Sequence, residues 1–131
     1  MKHPWNLGIK VHDLDADLDF LGRCGATEIQ KGTIPTAAGD RVFGMAFLGA
    51  QRLLLFPEVI YEDALPQPLK GGLAHAVFEV DNVEEVIRRY AKRGVSPMWG
   101  PQDLATPFGK RRIVFFRSPS GFIFEAFKHL G

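Results

Sequence analysis

The sequence predicts an α+β fold built from two tandem βαβββ modules, and three observations carry that prediction. Sliding the chain on itself by 69 residues lays 6–14 over 75–83. In both segments apolar residues alternate, as Leu7, Ile9 and Val11 and as Ala76, Phe78 and Val80, which is the period of a strand with one packed face. Each segment then meets a helix-capping residue, Asp13 or Asn82, and twelve positions later a glycine, Gly25 or Gly94. A side-chain oxygen at the cap accepts from the first free amides of a helix, and glycine takes the left-handed conformation that ends one.

In order, the first copy is expected to run as a strand over 6–11, a helix over 16–24, and strands over 27–32, 41–48 and 52–56. The second copy repeats this as a strand over 75–80, a helix over 84–93, and strands over 96–99, 111–117 and 122–127. Turn-forming residues at 36–40, 49–50, 106–109 and 118–121 separate the strands. The stretch 57–72 holds three prolines and the pair Gly71-Gly72 and is expected to be the least regular part of the chain. Module one therefore covers 1–57, a linker 58–72 and module two 73–131, all within one domain.

With 131 residues, 46% of them apolar and 11% aromatic, the chain can hold one core without disulfides or a structural metal. There is no room for separate cofactor and substrate domains. Sixteen Lys and Arg against fifteen Asp and Glu leave a charge of +1, so no field gathers nucleic acid or an anionic membrane. Cys24 is the single cysteine, which excludes an internal disulfide, a cysteine-clustered zinc site and a CxxC redox pair. It reads as a small packed residue, and its isolation suits a reducing cytoplasm. The N-terminus carries no apolar run of signal-peptide length, and the longer apolar stretches, such as 53–57, are strand-sized. A cytoplasmic protein with a small-molecule partner is expected. No phosphate loop, GxSxG elbow or HExxH helix is present.

Two such copies, closed by Phe115-Phe116-Arg117-Ser118-Pro119-Ser120-Gly121-Phe122-Ile123-Phe124-Glu125, resemble the vicinal oxygen chelate superfamily of glyoxalases, bleomycin and fosfomycin resistance proteins and extradiol dioxygenases. The resemblance spans nearly the whole chain. It implies a curved, partly open mixed barrel with the helices outside and a ligand cavity on the concave side. It also implies four metal-ligand positions, which fall here on Asn6, Leu54, His75 and Glu125. His75 and Glu125 are the metal candidates, for Zn, Fe, Mn or Ni. Leu54 cannot ligate, and Asn6 offers only a neutral amide oxygen, so the set is incomplete.

His75 and Glu125 are also the catalytic candidates, and three readings of them stay open: a shared metal, a purely structural hydrogen bond between them, or a metal-free general base. In the last, the carboxylate would orient the imidazole and raise its pKa. Alternation puts Asn6, Gly8, Lys10, His75, Val77 and Glu79 on one side of the sheet, where Lys10 and Glu79, equivalent in the two copies, are expected to pair. Asn6, Leu54, Phe56, Val77, Phe127 and Trp99 are candidate substrate-binding residues for a flat, partly apolar ligand, unless the aromatics simply fill the interior. Arg111, Arg112 and Arg117 read as solvated edge charges. Two functions are expected as alternatives: a metal-dependent lyase, isomerase or dioxygenase acting on a small organic molecule, or a metal-free protein that binds or sequesters an antibiotic-type molecule. Either copy alone exposes a sheet edge, so pairing within the chain or by exchange, and a homodimer, are expected.

Overall fold

A computed structural model describes residues 3–131. The elements are β1 (Asn6–Lys10), α1 (Leu14–Arg23), β2 (Thr27–Thr36), β3 (Gly39–Leu48), β4 (Gln51–Phe56), β5 (Gly72–Glu79), α2 (Val83–Ala91), β6 (Trp99–Thr106), β7 (Gly109–Arg117) and β8 (Ile123–His129), with a single 3-10 turn at Glu62–Ala64 before β5. Both copies read βαβββ. All eight strands belong to one sheet in the order β2-β3-β4-β1-β5-β8-β7-β6. At its centre β1 and β5 run antiparallel, which joins the copies within one chain. Each is flanked by a parallel last strand, β1 by β4 and β5 by β8.

The sheet curls until its two outermost strands, β2 and β6, touch, making the curved, partly open barrel that the family resemblance implies. The helices lie outside, because the outward parity of the central strands is apolar. Leu14, Leu18 and Leu21 of α1 cover Leu7, Ile9, Leu53 and Leu55, and Val83, Val86 and Tyr90 of α2 cover Val114, Phe116 and Ala126. The inward parity forms a separate and larger core around Phe43, Leu54, Phe56, Val77, Phe115 and Phe127.

The expected caps are present: Asp13 accepts from the Ala16 amide at 3.1 Å and Asn82 from that of Glu85 at 2.9 Å. The helices start at Leu14 and Val83, directly after those caps, earlier than expected. Gly25 and Gly94 end them at φ +92° and +80°. Four expectations are corrected. The second strand of copy two lies at Trp99–Thr106 and not at 96–99, and β2 runs on to Thr36. Both are edge strands paired on one side, so Pro35 and Pro101 cost them no ladder bond, and their polar composition hid them. The stretch between the copies is not merely irregular, since it buries Val59 and Tyr61 inside the barrel. Cys24 is exposed at the end of α1.

Candidate functional site

The barrel interior is organised around the point where β1 and β5 cross. Gly8 stands opposite His75, and the imidazole lies so close over the glycine that a β-carbon there would overlap Cε1 and Nε2. The glycine thus makes room for the ring. His75 is 4% exposed, and its Nδ1 is 2.9 Å from the Tyr61 hydroxyl. Burial pushes the imidazole down to about 3, so it is neutral at physiological pH. Burial also pushes the Tyr61 phenol up, helped by the charges of Glu125 and Glu62, so that hydroxyl keeps its proton. Phe115 packs edge-on against the imidazole with ring centroids 5.3 Å apart.

Glu125 on β8 lies across from Val77 of β5 and Phe115 of β7, hence on the same inward face as His75. It is buried, and its Oε2 has no partner. Burial pushes the carboxyl up to about 7, against the pull of the Arg111 charge. Asn6 is 1% exposed with both amide atoms unpartnered. Arg111 on β7 is 5% exposed, and its Nε and Nη2 are unpartnered. Its guanidinium carbon is 4.1 Å from the Phe127 ring centroid and 4.6 Å from that of Trp5. Asn6, His75, Arg111 and Glu125 meet on one cavity of about 40 Å³, walled by Leu54, Phe56, Val59, Val77 and Ile113 among others. Such a space admits a few waters or one small polar group.

The sequence-derived candidates distribute as follows. Asn6, Leu54, Phe56, His75, Val77 and Glu125 line this cavity. Phe127 stands behind it, against Trp5, and Trp99 packs edge-on to Phe115 at 5.7 Å. The hydrogen bond of His75 goes to Tyr61 and not to Glu125, and its pKa falls where a carboxylate partner would have raised it; desolvation wins because no charge contacts the ring. Lys10 pairs with Glu62 at 2.7 Å and donates to the Pro57 carbonyl at 2.6 Å, while Glu79 is exposed. Arg111 is no solvated edge charge. The exposed role belongs to Arg112, bonded to Asp103 at 2.8 Å and to Glu84 at 2.5 Å.

Two participants were missed. Arg111 shares the parity of Ile113 and Phe115, an alternation visible in the sequence that points it inward. Tyr61 gave no such signal beyond an apolar triplet, Val59-Ile60-Tyr61, inside a proline-rich stretch.

A divalent metal is a poor match for these residues. Among the described residues no three of His, Cys, Asp and Glu come together as a ligand group. The four family positions supply one imidazole, one carboxyl, one neutral amide and Leu54, and a buried guanidinium shares the cavity, where it would repel a cation.

Comparison with known proteins gives a consistent result. The family model for the glyoxalase/bleomycin resistance protein/dioxygenase superfamily matches residues 3–126. Among solved structures the chain is similar to a Streptomyces coelicolor methylmalonyl-CoA epimerase variant in complex with 2-nitronate-propionyl-CoA, at 19% identity over 100% of this chain and 99% of that one, TM-score 0.68. It is similar to the methylmalonyl-CoA epimerase of Mycobacterium tuberculosis, at 16% identity over 98% and 89%, TM-score 0.69. A glyoxalase I variant from Zea mays gives 17% identity over 99% of this chain and 44% of that one, TM-score 0.65. At such identities the likeness shows the fold. No curated protein matches the chain. Among the described residues no helix is long and apolar enough to cross a membrane.

Proposed function

The chain belongs to the glyoxalase/bleomycin resistance protein/dioxygenase superfamily, and from that premise we propose that it is a metal-independent enzyme of the isomerase or lyase type. In this reading the whole chain acts as one domain and moves a proton on a small organic molecule held inside the barrel. The observation that carries it is the set of buried, unpartnered polar atoms on Asn6, Arg111 and Glu125 around one cavity. Buried polar groups in native proteins are nearly always bonded, so these await a partner that the described residues do not supply.

Each residue has a distinct task. Glu125, with its carboxyl near 7, is the group able both to give and to take a proton at neutral pH. His75, neutral and fixed by Tyr61, offers hydrogen bonding without charge. Asn6 supplies one donor and one acceptor, and Leu54, Phe56 and Val77 exclude water. A cavity of about 40 Å³ leaves no room for an antibiotic-sized molecule, so sequestration would require the interior to open.

The test is hydrogen exchange in D2O, followed by proton NMR, on small carbonyl compounds bearing an α C–H bond, pyruvate and acetone among them. Wild type should accelerate exchange, with a rate that rises through pH 7 as Glu125 ionises, and Glu125→Gln should slow it about 100-fold or more. A chelator should change nothing. Exchange that persists in Glu125→Gln, or that depends on an added metal, overturns the proposal.

We also propose a homodimer. Phe20 of α1 and Leu73, which stands opposite Ile9 on the helix-bearing side, are 56% and 69% exposed, apolar side chains of the kind that self-association buries. Sedimentation at micromolar concentration should show twice the 14.6 kDa of the chain, and a clean monomer would count against it.

A further inference from the structure

Among the partly or fully buried guanidiniums, the fold supplies ion pairs for Arg41 and Arg112 and none for Arg111. Arg41 has Glu58 at 3.4 Å and Asp63 at 3.9 Å, and Arg112 has Asp103 and Glu84. Arg111 is more enclosed than Arg112, yet among the described residues no carboxylate lies within 4.0 Å of it, and two of its three nitrogens are unpartnered. A buried cation without a counter-charge is costly, and a fold retains one where something else provides the charge. We propose that Arg111 is the anchor for a carboxylate, which makes the barrel cavity a site for short-chain carboxylic acids. This rests on the reading of the cavity as the ligand site and names the ligand's chemistry.

Four observations support the assignment. The guanidinium rests against both the Trp5 and Phe127 rings, so its orientation is set before anything binds, and a fixed guanidinium fork matches a carboxylate in a two-point contact. Arg52 lies 3.6 Å from the centroid of the same Trp5 ring, and its Nε is likewise buried and unpartnered, which adds a second positive charge in the field of Arg111. Glu125, the acid nearest in field to Arg111, is pushed up to about 7 and so is not a permanent counter-ion at neutral pH. Finally, a cavity of about 40 Å³ limits the occupant to a few non-hydrogen atoms unless side chains move.

The test titrates propionate and pyruvate, and in parallel propionamide and pyruvamide, into the full-length protein while amide chemical shifts are followed by NMR. Both acids should saturate and shift residues around Arg111, and both amides should bind at least tenfold more weakly. Arg111→Gln should lose at least tenfold in acid affinity without changing its weak response to the amides. Arg111→Lys, which keeps the charge and not the fork, should fall between the two, and it decides the matter if the glutamine variant does not fold. Equal binding of acids and amides, absence of acid binding, or undiminished acid binding in the folded variant overturns the proposal. Failure here is distinguishable from failure of the proton-transfer reading. Acids that bind at Arg111 but do not exchange leave the anchor standing, whereas acetone exchanging as fast as pyruvate leaves the enzyme standing without it.

Discussion

Glu125 and His75 are two buried ionisable groups whose pKa values move in opposite directions, and stability should record both. The Glu125 carboxyl rises from 4.5 to about 7 and the His75 imidazole falls from 6.5 to about 3, each because burial disfavours its charged form. Glu125 therefore contributes stability that is complete below pH 4.5 and lost as pH rises through 7. His75 contributes stability that is complete above pH 6.5 and lost as pH falls toward 3. On acidification from neutrality the native state takes its proton on Glu125 while the unfolded chain takes one on the histidine, so across pH 5 to 6.5 the two effects largely cancel. Urea melts at several pH values should separate them. Relative to wild type, Glu125→Gln should gain stability progressively between pH 4.5 and 7, reaching at most about 3 kcal/mol, and His75→Gln should gain relative stability only as pH falls below 6.5. Identical pH dependence in all three proteins would mean that neither group is buried as described. The inward placement of both residues was legible from strand parity. Their environment was not, because the partner of His75 comes from a segment with no periodicity, and the charge next to Glu125 is an arginine that composition alone would leave in water.

The element that most changes the picture is the connection between the copies. Glu62, in its 3-10 turn, pairs with Lys10 at 2.7 Å, with both side chains about nine-tenths buried, and accepts from the Val59 amide at 2.8 Å. Burial works against the Glu62 carboxylate, yet the bonds from Lys10 and Val59 hold its pKa below the usual range. This clip fastens the connection to the last residue of β1 and so fixes Val59 and Tyr61 inside the barrel. Glu62→Gln should cost about 3 kcal/mol in urea denaturation, because it leaves the Lys10 ammonium enclosed without its counter-charge, and Lys10→Met combined with Glu62→Gln should recover part of that loss. A loss under about 1 kcal/mol for the single variant would mean that the pair is effectively solvated. The regular elements were easier to foresee. Caps, glycine stops and alternation located both helices and the central strands, since each rests on contacts local in sequence. The edge strands β2 and β6 outran their signals because an edge tolerates proline and polar residues that a central strand does not.

At the scale of the whole molecule, the repeat made the architecture legible before any single element was certain. Two copies at a fixed offset, each with a strand whose outward face needs a helix, have few ways to satisfy both faces, and one continuous sheet with β1 beside β5 is among them. Duplication also divides the site, since Asn6 and Leu54 come from one half and His75, Arg111 and Glu125 from the other. The repeat could not reveal what belongs to neither copy. Tyr61 lies in the stretch that joins them, and it is completely buried against His75. The joint between the halves is therefore also part of the filling of the barrel they enclose. A change that drew this segment out of the barrel would break the Lys10–Glu62 clip and take the hydroxyl away from the His75 ring. The two halves are thus tied twice, by the pairing of β1 with β5 and by the peptide that joins them, and the imidazole sits where both ties meet, so loosening either one disturbs the same ring.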